Sequence, residues 1–168
     1  MKTSELFGGP VRYPILAING FFTFDESFLA VLALDGVGVN FRNWFDLGGK
    51  YTIQPTGIGC VAGHTLREDS SDNRILAYFK RNESLYMPIS VVWSVLFYQI
   101  NHPDKSILLR NGKANVFFVP GGSSRFCTVA LYFEGGGCKA HAYEPNPKKP
   151  NGSSRLWYKG SRLFTKID

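Results

Sequence analysis

Turn dipeptides set between apolar runs punctuate this chain, and that rhythm limits the fold more than any other feature. Asn19-Gly20 separates two apolar runs in ILAINGFFTF, Asp35-Gly36 does so in FLAVLALDGVGVNF, and Asn111-Gly112 in SILLRNGKANVFFV. Both central residues of a tight type I′ turn need positive φ, which Asn, Asp and Gly tolerate best. Further along, TVALYFEGGGCKAHAYE turns at Gly135 to Gly137, and RLWYKGSRLF around Lys159-Gly160. Together these hairpin signals predict about ten strands. The expected fold is mainly β, or β-rich α+β: an antiparallel sandwich or barrel built from hairpins, with one or two short helices.

Two stretches compete with the strand pattern. Over 23–36, Thr23 followed by Glu26 fits a capping box, so ESFLAVLAL would also make a short helix; the strand is preferred. Over 88–100, Pro88 suits the first turn of a helix while Val91, Val92, Trp93, Val95, Phe97 and Tyr98 favour β structure; the length of the run predicts a helix. The surrounding apolar stretch from Tyr86 to Ile100 contains Ser90, Ser94 and Gln99 and is shorter than the ~20 residues of a membrane span. It reads as core, and no membrane partner is expected.

At 168 residues, with 44% hydrophobic and 15% aromatic side chains, the chain can bury one sizeable core. A single domain over 1–168 is expected. REDSSDNR, over 67–74, reads as an exposed loop, and EPNPKKPNGSS, over 144–154, as a mobile basic loop. The first residues are polar rather than an apolar run with a cleavage site, which predicts a cytoplasmic location. In that compartment three cysteines are reduced thiols or metal ligands rather than a disulfide framework, and the sequons at Asn82 and Asn151 carry little meaning.

Two glycine-rich stretches echo each other: GIGCVAGH ends at His64 and GGGCKAH at His141. Zinc takes four N or S ligands, and Cys60 with His64 plus Cys138 with His141 would supply them if the pairs met in space. Some seventy residues separate the halves, and spacing alone does not bring them together. Two buried small thiols beside two imidazoles explain the echo as well. The expectation is no cofactor and no metal, with zinc at this set as the weaker alternative. A cysteine nucleophile would need Cys60, Cys127 or Cys138 beside His64, His102 or His141, and nothing in the sequence selects a pair. Gly57, Gly59 and Gly63 lack the Lys-Ser or Lys-Thr of a phosphate-cradling loop, so turns and a β-bulge account for them. No Gly-x-Ser-x-Gly elbow or His-Glu-x-x-His is present either.

Charge is more informative. Residues 1–120 hold 11 Lys/Arg against 10 Asp/Glu, whereas 121–168 hold 8 against 3, so nearly all of the net +6 lies at the C-terminal end. There Arg125, Lys139, Lys148, Lys149, Arg155, Lys159, Arg162 and Lys166 interleave with Phe126, Tyr132, Tyr143, Trp157 and Tyr158. Cations for phosphates and aromatic faces for bases are what a nucleic-acid surface needs. In SSRLWYKGSRLF, strand alternation sets Arg155, Trp157 and Lys159 on one face. The expected interface is Arg125, Lys148, Lys149, Arg155, Trp157, Lys159 and Arg162, extended by Arg42 and Trp44 from NFRNWFDLGGK. The competing reading makes Trp157 a cap on the core edge and the lysines solvated charges. The expected protein is therefore a small basic nucleic-acid binder; an interaction or inhibitor protein of viral or phage type on an acidic protein surface comes second, and a cysteine- or zinc-dependent enzyme third.

Overall fold

The computed structural model describes residues 5–15, 22–25, 34–45, 48–53, 59–80, 82–120, 126–144 and 155–167. In chain order its elements are β1 (Val11–Pro14), β2 (Phe22–Asp25), β3 (Leu34–Val37), α1 (Val39–Phe45), β4 (Gly48–Ile53), β5 (Cys60–Thr65), β6 (Ser70–Ser71) and α2 (Asp72–Tyr78). A 3-10 turn at Glu83–Leu85 follows, then α3 (Ile89–Asn101), β7 (Asn115–Pro120), β8 (Phe126–Glu134), β9 (Gly137–Tyr143), β10 (Leu156–Trp157) and β11 (Arg162–Lys166). Seven of the strands form one open sheet in the order β1-β5-β11-β7-β8-β9-β3. The protein is thus mainly β, as its turn rhythm predicts, but the sheet is mixed and does not close into a barrel. β11 runs parallel to β7 and β3 parallel to β9, while the other ladders of this sheet are antiparallel. Small two-stranded ladders join β2 with β4 and β6 with β10.

Alternation along the central strands divides the core in two. Phe117 and Val119 of β7, Val129 and Leu131 of β8 and Phe164 of β11 face one side, where α1 and α3 cover them. Phe117 and Phe164 stack there with ring centroids 4.7 Å apart. Val116, Phe118, Ala130 and Leu163 face the other side, under α2, the 3-10 turn and Trp157 of β10. Each buried Phe or Leu contributes roughly 1.5–3 kcal/mol by leaving water, so both layers hold the sheet.

Residues 89–101 are a helix, as the length of the run predicts. Pro88 is its N-cap rather than its first residue, and every residue from Ile89 to Leu96 is buried, which only a helix covered on more than one side requires. Asn101 Nδ2 donates to the Phe97 carbonyl and the His102 N–H to that of Tyr98, closing the helix before Pro103.

The turn dipeptides divide into different outcomes. Glu134 and Gly137 pair across a two-residue loop in which Gly135 (φ 59°) and Gly136 (φ 88°) both take the left-handed conformation, so the β8–β9 hairpin forms as expected. Asp35-Gly36 is not a hairpin turn: it lies inside β3, at a register shift against β9, and Gly36 (φ 98°) serves a bulge at the sheet edge. Asn111-Gly112 bends the chain, but no strand precedes it. Both edges of β7 are already taken, by β8 and β11, so the 106–110 segment pairs with a side chain instead. Asn115 Oδ1 accepts from the Leu109 N–H at 2.7 Å and its Nδ2 donates to the Leu109 carbonyl at 3.0 Å. Lys159-Gly160 turns between β10 and β11, which pair with other strands rather than with each other. Asn19-Gly20, most of the 23–36 stretch and nearly all of the 144–154 loop lie outside the described residues.

The polar stretch over 67–74 is not a free loop. Ser70 and Asp72 are buried, because β6 pairs with β10 and α2 begins at Asp72 under a Ser71 cap.

Candidate functional site

Strand alternation builds the floor of a cleft. Tyr132 and Glu134 of β8, with Lys139, His141 and Tyr143 of β9, rise from the same side of the sheet as the Trp157 core. The segment 155–161 forms the facing wall and the 112–114 turn closes one end, enclosing about 400 Å³. That wall is tied down at several points. β10 pairs with β6, Asp69 Oδ1 accepts the Lys159 N–H at 2.7 Å, and the Gly160 N–H donates to the Leu66 carbonyl at 2.9 Å.

Beneath the wall lies a buried polar lock. The Trp157 indole N–H and the Thr128 hydroxyl both donate to the Asp72 carboxylate, which has no exposed surface. Burial pushes this carboxyl up to about 6, although the two hydrogen bonds and the Arg155 charge pull it back. The lock fixes Trp157 edge-on to Tyr143, with ring centroids 6.0 Å apart. Arg155 then lies across both rings, its guanidinium carbon 3.7 Å from the Tyr143 centroid and 5.4 Å from that of Trp157.

The groups lining the cleft have perturbed protonation. His141 is held below its ordinary value by burial, then by the Arg155 and Lys139 charges, against a weaker opposite pull from Glu134. Tyr143 is raised by burial and by Tyr132, with which it shares a hydrogen bond, while Arg155 acts in the opposite sense. Lys139 Nζ lies 3.2 Å from Glu134 Oε2. The imidazole also packs tightly against the backbone: a Cβ on Gly38 would sit 2.8 Å from His141 Nδ1. At neutral pH the cleft therefore offers cations, a neutral imidazole and the protonated phenol of Tyr143.

Of the residues expected from sequence, Arg155 lines this cleft and Trp157 forms its base. Trp157 is 1% exposed, so it cannot present a face to a nucleic-acid base; the core-edge reading holds for it because its indole N–H has a buried carboxylate to satisfy. Alternation does keep Arg155 and Trp157 on one side, that of the cleft, where Arg155 stays exposed and Trp157 is buried. Leu156 and Tyr158 are exposed too, at 50% and 62%. Lys159 is exposed on the turn beyond the cleft. Arg162 belongs to the opposite side of the sheet, where its guanidinium lies over Tyr13 and donates to the Ser106 and Ile107 carbonyls. Arg42 and Trp44 sit on α1, which covers that same opposite side, and Trp44 packs on its core. Arg125, Lys148 and Lys149 lie outside the described residues. The alternating Lys139, His141 and Tyr143 were the signal for the rest of the cleft, legible once GGGCKAHAY is taken as a strand.

The cysteine and histidine pairs do not meet. His64 and His141 occupy one cross-strand row, His64–Leu163–Val116–Ala130–His141, and are four strands apart. At about 4.8 Å per strand that is roughly 19 Å, far beyond two ligands of one ion. Cys138 and His141, three residues apart in one strand, point to opposite sides of the sheet. Burial pushes the Cys127 and Cys138 thiols up to about 12, a state unsuited to nucleophilic attack. All three cysteines are free thiols. Among the described residues no group of three or more His, Cys, Asp or Glu could hold a metal ion, and no helix is long and apolar enough to cross a membrane.

His64 lines a second, smaller cleft of about 290 Å³ with Glu5, Phe7, Tyr78 and Phe79. Its Nε2 is 2.9 Å from Thr165 Oγ1, and burial lowers its pKa. Gly63, beside it, is neither turn nor bulge but passes beneath Tyr13 and Arg162.

Comparison with protein-family models, with characterised proteins and with solved structures finds no match to this chain.

Proposed function

We propose that this protein binds nucleic acid through the cleft between the β8–β9 hairpin and the 155–161 segment. The observation that carries the reading is Arg155 lying across Tyr143 while Lys113 and Lys139 line the same recess, against a single carboxylate, Glu134, among the described residues. Cations at that density meet phosphates, and the exposed Tyr158 ring at the rim offers a face for a base. A recess of about 400 Å³ is narrow for a duplex and suits an unpaired nucleotide. A cytoplasmic setting fits this reading, because three free thiols suit a reducing compartment.

The test is binding to single- and double-stranded RNA and DNA across a salt series. Affinity for a single strand should fall steeply with salt, and Lys139→Ala with Arg155→Ala should flatten the slope by about 0.7 for each phosphate that is no longer neutralised. An absence of binding at low salt by folded protein would refute the proposal and turn attention to an acidic protein partner.

A further inference from the structure

A cleft that only held a strand would need cations and rings; this one also holds a half-buried imidazole and a hydrogen-bonded pair of phenols. Tyr132 and Tyr143 flank His141, with ring centroids 6.0 and 6.1 Å from it. The groups facing His141 are Lys139 and Tyr143 from its own strand, Tyr132 and Glu134 from β8, Arg155 from the facing wall, and the Gly38 backbone from the segment before α1. An imidazole among these cations is a free base at neutral pH, and the half-buried Tyr143 phenol beside it is a held proton.

We propose that the cleft cleaves single-stranded RNA by transesterification, with His141 accepting the proton of the attacking 2′-hydroxyl and Tyr143 donating one to the departing 5′-oxygen. The inference rests on the nucleic-acid reading above. The 2′-oxygen forms a bond to the adjacent phosphorus as the bond from phosphorus to the 5′-oxygen breaks, leaving a 2′,3′-cyclic phosphate and a 5′-hydroxyl end. No oxidant, reductant or water is consumed. Lys139, Lys113 and Arg155 offset the charge that builds on the phosphoryl oxygens. Arg155 has a further part, because its hydrogen bond and charge steady the phenolate left on Tyr143. His141 then loses its proton to solvent and Tyr143 regains one, which restores the resting site.

The experiment incubates full-length protein with a 5′-labelled single-stranded RNA and with DNA of the same sequence, in chelator, while binding of both is measured in the same buffer. RNA should be cut to fragments ending in a cyclic phosphate, and DNA, which lacks the 2′-hydroxyl, should be bound and left intact. His141→Gln should slow cleavage by roughly 10²–10⁴-fold with RNA affinity and melting temperature little changed. Tyr143→Phe should slow it comparably, and the wild-type rate should rise with pH through the acid range and level off as the imidazole deprotonates. RNA that is bound but stays intact, or cleavage that survives His141→Gln undiminished, overturns the inference and leaves the binding reading standing. Failure to bind either strand overturns both.

Discussion

The clefts of His141 and His64 lie at the two ends of one row of the same sheet face, yet they are chemically unlike. Around His141 stand Lys139, Arg155, Tyr132 and Tyr143; around His64 stand Phe7, Tyr78 and Phe79, with rings packed edge to face at 5.2 to 5.9 Å. Each histidine follows glycines and a cysteine at nearly the same spacing. What separates them is their cross-strand company. The His64 imidazole is committed to Thr165 and a wall of rings, which makes it a structural group. The His141 imidazole borders a recess that Lys113, Lys139 and Arg155 make basic. A local motif therefore sets which side of a strand a group faces, and its partners set what that group can do.

The largest test of this contrast removes the aromatic support of each cleft. Trp157→Ala and Phe7→Ala should each cost about 3–5 kcal/mol in urea unfolding, as large aromatic truncations in a core do. Trp157→Ala should be the worse of the two, because the Asp72 carboxylate also loses its indole donor in a buried place. Phe7→Ala should leave nucleic-acid affinity unchanged in the folded fraction. A loss of binding in Phe7→Ala with folding intact would erase the distinction between the clefts.

A smaller effect concerns the lock beneath the basic cleft alone. With its folded pKa raised to about 6 from 3.8, Asp72 holds its proton more tightly in the native state than in the unfolded chain. Its contribution to stability is complete below about pH 4 and is lost as pH rises toward 6, a swing of about 3 kcal/mol at 1.36 kcal/mol per unit. Asp72→Asn keeps an acceptor for Trp157 and stays neutral. The stability of the variant relative to wild type should therefore climb between pH 4 and pH 6 and then plateau. A difference that is flat across this range would mean that Asp72 titrates normally.

The smallest effect lies at the histidines themselves. His64→Ala should cost about 1 kcal/mol through its lost bond to Thr165 and leave nucleic-acid binding alone. His141→Ala should spare both stability and RNA affinity and slow RNA cleavage. RNA cleavage slowed equally by the two variants would contradict the assignment of one cleft to chemistry and the other to packing.

Much of this molecule was open to reading along the chain. The β8–β9 hairpin follows from glycines that tolerate positive φ, the helix over 89–101 from the length of its apolar run, and the alternation of Lys139, His141 and Tyr143 from the pleat of a strand. These are properties of residues within a few positions of each other, so the sequence alone determines them. Which strands become neighbours is different, because pairing is chosen by the burial of whole faces. Tertiary structure alone decided that β11 would lie between β5 and β7, that the side chain of Asn115 would stand in for a missing strand partner, and that Asp35-Gly36 would serve a bulge. It also turned Trp157 inward onto Asp72, laid Arg155 over Tyr143, and put three buried apolar residues between two histidines that look alike in sequence. The reason is that a buried carboxylate and an indole N–H each need a partner that no spacing along the chain reveals, and only a packed core brings them together.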